Sequence, residues 1–309
     1  PRSTPKPSSA ASDVYKRQFL NRASKKIEPD ERLLRMKARL QEDNGNIDEA
    51  VLTLDGLEQP SSVGLLSRLV RTRDWIERGY DLSYLGEQSE GYEPKPFSVM
   101  YNVHSSLPYK TSGYTIRTRE VVSNLRNLGL DIDVFVRWGF PLDREDIELD
   151  DFEDLEGEYI DSGIKYSISP DPGGMISHKF EDFCQRAAES ILEKAKEKRP
   201  MAIFSASDAS IGLASSMVAR SLGLPFIYEM RGMWEESAVA SGRWKSGGLA
   251  YRRFRRMETN VLRAADNVIC ISETLREEAI SRGVSEEKIS VVPNAVDAEV
   301  MRKESDLFH

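Results

Sequence analysis

With 309 residues, 39% of them apolar and 30% charged, the chain is long enough for a globular core in one large domain or two ordinary ones. A formal net charge of -8 argues against nucleic acid as the main partner. The two cysteines, Cys184 and Cys270, sit inside apolar patterns as inert thiols of a reducing compartment, and no apolar run approaches the ~20 residues that span a bilayer.

Residues 1–18 are polar and rich in Pro and Ser, and read as a disordered tail. Within it, Ser9 to Gln18 resembles translated adapter sequence and is taken as non-native. No hydrophobic signal region stands at the amino terminus, so the cytoplasm is the expected compartment. Residues 19–90 form a helical extension. Leu33, Leu34, Met36, Ala38 and Leu40 precede an Asn44-Gly45 turn, and Ile47 to Leu54 follows it as the second arm of a helical hairpin. Ala38 to Leu57 looks like a single tetratricopeptide-type unit, which cannot bury its own face alone. A third helix is expected to carry Leu65, Leu66, Leu69, Val70 and Ile76.

From residue 91 to 297 strands and helices alternate. Phe97 to Val103 is a short β-branched and aromatic run after Pro94 and Pro96, suited to a strand buried on both faces. A loop from His104 to Gly113 leads to a helix with Tyr114, Val121, Val122, Leu125 and Leu128 on one face, and Leu130 to Val136 resumes strand character. The acidic run Asp143 to Asp161 reads as a solvated insertion, since it lacks the spaced, glycine-marked pattern of a calcium loop. A helix from Phe180 to Ala195 stops before Pro200. Then come strand Met201–Phe204, helix Ile211–Leu222 ended by Gly223, and strand Leu224–Tyr228. A basic helix Tyr251–Leu262, strand Val268–Ile271, helix Thr274–Ile280 capped by Ser272, and strand Ile289–Val292 close the series. The alternation predicts one doubly wound parallel-sheet, Rossmann-like α/β domain of about 200 residues.

In such a sheet chemistry sits just past the carboxyl ends of strands. Four stretches qualify: His104 to Arg119, Ser205 to Ser210, Glu229 to Glu236, and Ser272-Glu273. The first opens a helix through a single-glycine loop whose free N–H groups can hold a phosphate. It lacks the Gly-x-Gly-x-x-Gly fingerprint, and Arg137-Trp138 rather than an acid follows the second strand, which disfavours a nicotinamide cofactor.

Four phrases occur in order: Leu107-Pro-Tyr-Lys-Thr-Ser-Gly-Tyr-Thr-Ile-Arg117-Thr, Leu224-Pro-Phe-Ile-Tyr-Glu-Met-Arg-Gly-Met-Trp-Glu235, Ala265-Asp-Asn-Val-Ile-Cys-Ile-Ser-Glu273 and Val291-Val-Pro-Asn-Ala-Val-Asp297. Together they resemble the N-terminal, acceptor-side half of a family 4 glycosyltransferase, a retaining enzyme of the two-Rossmann GT-B architecture. The resemblance covers about 97 to 297. It implies transfer of a sugar from a nucleotide-sugar co-substrate to a polysaccharide, glycolipid or lipid-linked acceptor, with no cofactor and no metal. Ser112-Gly113 matches the family's Gly-Gly loop near the donor diphosphate, with serine in the first glycine's place. Arg231 stands where many members carry a histidine. As a permanent cation it cannot be a general base, and clamping a phosphate or orienting the acceptor is its expected role, with Glu229 or Glu235 fixing it. Arg231 and Glu229 are thus the expected catalytic pair; His104, Ser112, Gly113, Tyr114, Arg117, Glu235, Ser272 and Glu273 are the expected substrate contacts.

Ser272-Glu273 also reads as a helix N-cap with a favourable dipole charge, and His104 and Arg117 equally as structural hydrogen-bond partners. The basic and aromatic segment 244–257 suits peripheral contact with anionic lipid at the inner membrane face, or a solvated face. The resemblance further implies a second Rossmann domain. The chain ends about a dozen residues after Asp297, so 298–309 is expected to begin a linker and the fragment to be inactive alone. Two rivals are a sugar-nucleotide epimerase of the same architecture and a non-enzymatic scaffold built on helical repeats.

Overall fold

The computed structural model describes residues 30–143, 157–169 and 180–295, without the side chains of 180–182. The expected tail, the linker and most of the acidic run lie outside the described residues. The chain divides into two compact units, Pro1–Gly79 with Trp234–Arg256, and Tyr80–Met233 with Met257–His309.

The first unit is helical. Helix α1 (Glu31–Asp43) starts at Asp30, whose carboxylate accepts from the Leu33 N–H at 2.8 Å. The Asn44-Gly45 turn, with Gly45 at φ +82°, leads into α2 (Ile47–Leu54), and α3 (Pro60–Arg78) follows with proline in its first turn. Ala38, Ile47, Ala50, Leu54, Leu65 and Leu69 form its core, and Leu249 packs against them. The face that a lone helical-hairpin unit cannot cover is therefore closed by α3 and by a segment some two hundred residues downstream. That segment holds α7 (Trp234–Ala240) and the first half of α8 (Leu249–Ala264). A Cβ on Gly45 would lie 3.2 Å from the Gly248 Cα, so two turns meet backbone to backbone. Lys245 Nζ donates to Asn44 Oδ1 (3.2 Å), Arg252 to the Gly45 carbonyl, and Arg256 Nη2 to the Glu77 carbonyl (3.0 Å). Much of the basic segment thus holds the helical unit together.

The second unit is built on an eight-stranded sheet: β1 (Ser98–Val103), β2 (Asp131–Val136), β3 (Glu158–Asp161), β4 (Ile164–Ser167), β5 (Ala202–Ala206), β6 (Phe226–Met230), β7 (Asn267–Cys270) and β8 (Ile289–Val291). Their order is β3-β4-β2-β1-β5-β6-β7-β8, parallel throughout except for β3, which pairs antiparallel with β4. The acidic run thus ends in an edge hairpin, not a wholly solvated insertion. Its Ser162-Gly163 turn takes φ of +48° and +76°, the left-handed pair that a two-residue hairpin needs.

Helices α4 (Gly113–Asn127), α5 (Phe180–Lys198), α6 (Ala209–Leu222) and α9 (Glu273–Ser281) connect the strands. Tyr101, Val103, Val122, Val134, Val136, Phe204 and Ala206 lie at the centre of the core. Nearly every residue of α6 is buried. Its Ala, Ser and Gly side chains permit this, since a Cβ on Gly212 would meet the Tyr228 ring at 2.7 Å and Val261 at 2.8 Å.

Two expected core positions lie outside. Phe97 has φ +59° and is 67% exposed, because the strand starts one residue later and Phe97 spends its carbonyl on the Asp131 N–H. Leu128 is the C-cap of α4, past its last turn, and is 80% exposed. Residues 80–96 belong with the sheet unit: Gln88 N–H reaches the Ser221 carbonyl and Lys95 N–H the Arg199 carbonyl.

Candidate functional site

Strand β1 is the topological switch point. From it the chain crosses one way to β2 and later returns to lay β5 on its other side. The carboxyl ends of β1 and β5 therefore border the crevice where open α/β sheets take ligands. His104 follows β1 and Asp208 follows β5, and His104 Nδ1 lies 2.9 Å from Asp208 Oδ2. The other oxygen of Asp208 caps α6, accepting from the Ser210 and Ile211 N–H groups at 2.9 and 3.3 Å. Burial opposes ionisation of Asp208, but His104, the Ser210 hydroxyl and Arg137 outweigh it and hold the carboxyl well below its usual range. The anion lies against the Nδ1 edge of the imidazole. The expected substrate contact His104 is thus oriented by a residue not singled out from the sequence. The signal for Asp208 was there: an acid immediately before a helix and after a strand.

Beside this pair is a buried cluster around Glu229, near the end of β6. Its Oε1 accepts from Arg117 Nε at 2.9 Å and lies 2.7 Å from Arg117 Nη2. Its Oε2 accepts from Arg231 Nε and from the Tyr101 hydroxyl, both at 2.8 Å, and lies 2.7 Å from Arg231 Nη2. Arg231 Nη1 donates to the Tyr114 carbonyl and to Thr118 Oγ1, each at 2.8 Å, and Nη2 to the Tyr101 hydroxyl. The guanidinium stands over the Tyr114 ring, 4.5 Å from its centroid, and the Tyr114 hydroxyl accepts from the His104 N–H at 2.8 Å. Burial resists the charge on Glu229, yet Arg231 and Arg117 together hold its carboxyl below the usual value.

A guanidinium has five N–H donors. Those of Arg231 are all directed at Glu229, Tyr114, Thr118 and Tyr101, and only 5% of its side-chain surface is exposed. Arg117 is equally committed, to Glu229, the Val292 and Pro293 carbonyls and Asn294 Oδ1. Neither side chain keeps a donor for a phosphate. In this arrangement Arg231 ties Glu229 to the first turns of α4, Arg117 ties it to residues 292–294, and Glu229 is locked between the two cations.

Ser112 is the N-cap of α4 in a reciprocal box with Thr115, at 3.3 Å to the Thr115 N–H and 3.0 Å back from its own N–H to Thr115 Oγ1. A Cβ built on Gly113 or on Gly232 meets nothing within 4 Å, and neither glycine has a positive φ. Of the remaining expected contacts, Glu235 is fully buried in the helical unit and pairs with Arg255 at 3.5 Å, so it is Glu229 that fixes Arg231. Ser272 caps α9 through the Leu275 N–H at 3.3 Å, and the exposed Glu273 faces Arg276 at 3.6 Å. Asp143, the first acid of the acidic run, is buried in a two-point pair with Arg137. Among the described residues no group of three or more His, Cys, Asp or Glu side chains is placed to hold a metal ion. Nor is any described helix long and apolar enough to cross a membrane.

Residues 112–295 match the glycosyl transferase 4-like domain. No curated protein matches the chain. Solved structures similar to it include a lipopolysaccharide outer core galactosyltransferase, WaaB, in its apo form (16% identity, TM-score 0.42, 65% of this chain and 46% of that one). Another is the UDP-GlcNAc 2-epimerase from Neisseria meningitidis bound to UDP-GlcNAc (13%, 0.45, 68% and 50%). A third is Anabaena Alr3699/HepE in complex with UDP-glucose (12%, 0.41, 68% and 50%). The chain spans about half the length of each of these three. The domain match takes in more than half of the 309 residues, and the chain belongs to the glycosyl transferase 4-like domain family.

Proposed function

We propose that the chain is the acceptor-side half of a retaining glycosyltransferase, which moves a hexose from a nucleotide-sugar donor to a polysaccharide, glycolipid or related acceptor. One observation carries the reading. Gly113 opens α4 at the carboxyl edge of the sheet, and neither its backbone angles nor its packing calls for a glycine. What the missing side chain provides is clear space at the N–H groups of a helix start, the surroundings a diphosphate needs. In this reading the donor diphosphate approaches Gly113 and Gly232. The acceptor hydroxyl lies against His104, which Asp208 holds in one orientation. Arg231, Glu229, Tyr101 and Tyr114 keep the two loops at fixed separation, and the permanent charge of Arg231 contributes a steady positive field without direct contact.

Similar structures in complex with UDP-glucose or UDP-GlcNAc are consistent with a nucleotide-sugar donor. No metal is assigned to the transfer, which proceeds by front-face displacement in a cleft closed by a second Rossmann domain. The 309 residues alone are then inactive, and a protein that continues into that domain turns over. The experiment is to incubate both with nucleotide sugar and acceptor and follow nucleotide release and the anomeric configuration of the product. Retained configuration from the longer protein supports the reading. Turnover by the 309 residues refutes the division of labour, and inversion at the sugar's C2 without acceptor favours an epimerase. A cytoplasmic place at the inner membrane face belongs to the same proposal. Liposome co-sedimentation with Arg253 changed to Glu tests it, since Arg252 and Arg256 also hold the Gly45 and Glu77 carbonyls, and unchanged binding discards the lipid contact.

A further inference from the structure

The chain leaving β8 runs Val292-Pro293-Asn294, and its polar groups are gathered by one side chain from α4. Arg117 Nη2 donates to the Val292 carbonyl at 2.8 Å, and Nη1 to the Pro293 carbonyl at 3.2 Å and to Asn294 Oδ1 at 3.0 Å. The same guanidinium holds Glu229 Oε1 through Nε and Nη2. Glu229 in turn is the anion shared with Arg231 and Tyr101 through its other oxygen. One planar group therefore spans an exposed segment of backbone and the buried core of the candidate site.

We propose that Arg117 is a positioning residue that couples the place of the 292–294 segment to the Glu229–Arg231 cluster. When the segment moves off, Arg117 loses three of its four acceptors and the remaining grip on Glu229 loosens. Glu229 is then left with Arg231 as its one firm cation. Arg231 also supports Tyr114, in the first turn of α4, and its N–H holds Ser207 Oγ at 3.1 Å. A displacement at residue 294 thus reaches the loops that carry Gly113 and Gly232. Lysine does not reproduce the bridge, because its single nitrogen cannot occupy the separate Nε, Nη1 and Nη2 positions that meet Glu229, Pro293 with Asn294, and Val292. The consequence for catalysis rests on the sugar-transfer reading, whereas the coupling does not.

The test uses the chain itself and needs no substrate. Amide hydrogen exchange is compared for the wild type, Arg117→Lys and Asn294→Ala. Asn294→Ala removes only the exposed end of the bridge, one acceptor of Arg117, and alters neither Glu229 nor Arg231, so it reports even if Arg117→Lys unfolds. Arg117→Lys is expected to speed exchange of the Val292 and Arg231 amides by about ten-fold, the scale of one hydrogen bond to a charged partner. Asn294→Ala is expected to speed the Arg231 amide by a few-fold. If Asn294→Ala loosens only residues 290–295 and leaves the Arg231 amide at its wild-type rate, or if neither variant changes either amide, the coupling is overturned. That result leaves glycosyl transfer, measured by turnover, untouched.

Discussion

Replacing Glu229 by glutamine keeps the shape of the side chain and removes the charge on which the buried cluster depends. Two guanidiniums, with 10% and 5% of their side-chain surface exposed, then face a neutral amide whose own N–H groups add donors to a site already full of them. Breaking a buried pair from one side costs ~3–5 kcal/mol, because an uncompensated charge stays behind. At 2–4 °C per kcal/mol for a unit of this size, the midpoint of thermal unfolding should fall by ~6–20 °C at pH 7. The pH dependence adds a second signature. Arg231 and Arg117 depress the folded-state value of Glu229 below its ordinary 4.5, so its stabilisation is complete above that value and is lost as pH falls through the folded one. The gap between wild type and Glu229→Gln should therefore be constant from neutral pH to about 4.5 and shrink below it. Urea denaturation from pH 7 to pH 3 measures this. A gap under ~0.5 kcal/mol at pH 7, or one that widens on acidification, refutes the buried-pair account.

Three further outcomes follow from the same geometry. Gly212→Ala drives a methyl into the Tyr228 ring and Val261 and should destabilise the sheet unit by ~1–3 kcal/mol, read from the denaturation midpoint. Gly45→Ala meets both a φ of +82° and the Gly248 backbone, and should cost more than ~1 kcal/mol, seen as faster amide exchange over Ile47–Leu54. Asp208→Asn keeps the cap of α6, because asparagine caps as well as aspartate, but removes the buried anion that His104, the Ser210 hydroxyl and Arg137 hold ionised, so the sheet unit should lose ~1–3 kcal/mol, read from the denaturation midpoint. It should also loosen the His104 ring, seen as changed 1H and 13C ring chemical shifts in NMR spectra, and raise KM for the acceptor.

The strand–helix alternation was legible because parallel strands buried on both faces leave unbroken apolar runs, and because Gly223 and Gly283 stop helices at positive φ. Boundaries were less so. An apolar residue beside a break looks like core, and only the φ of +59° and the register of Asp131 with Ser98 show that Phe97 lies outside β1. The edge hairpin escaped because its strands are four residues long and its first half is acidic. His104 and Arg231 could be found by their place after strand ends. Glu229 was legible beside Arg231, and Asp208 carried the signal of a helix cap, but the distant partners were not, since Tyr101 and Glu229 are 128 positions apart and Arg117 and Asn294 are 177 apart, and spacing carries no sign of such pairs. The sequence also could not show how many donors of Arg231 are engaged, since donor counting needs every acceptor to be placed first. Nor does any local pattern reveal that residues 234–256 group with the amino-terminal helices.

The most direct test of the account is sugar transfer by the protein that carries its second domain, measured with Gly113→Val beside the wild type. Among the described residues nothing beyond its own turn lies within 4 Å of a Cβ at this position, so the variant should fold, which its denaturation midpoint checks. If the diphosphate approaches the start of α4, the valine displaces it and turnover should fall by ~100-fold, the scale of a misplacement of about 1 Å at a reacting centre. Wild-type turnover from a folded Gly113→Val enzyme would contradict the placement of the site.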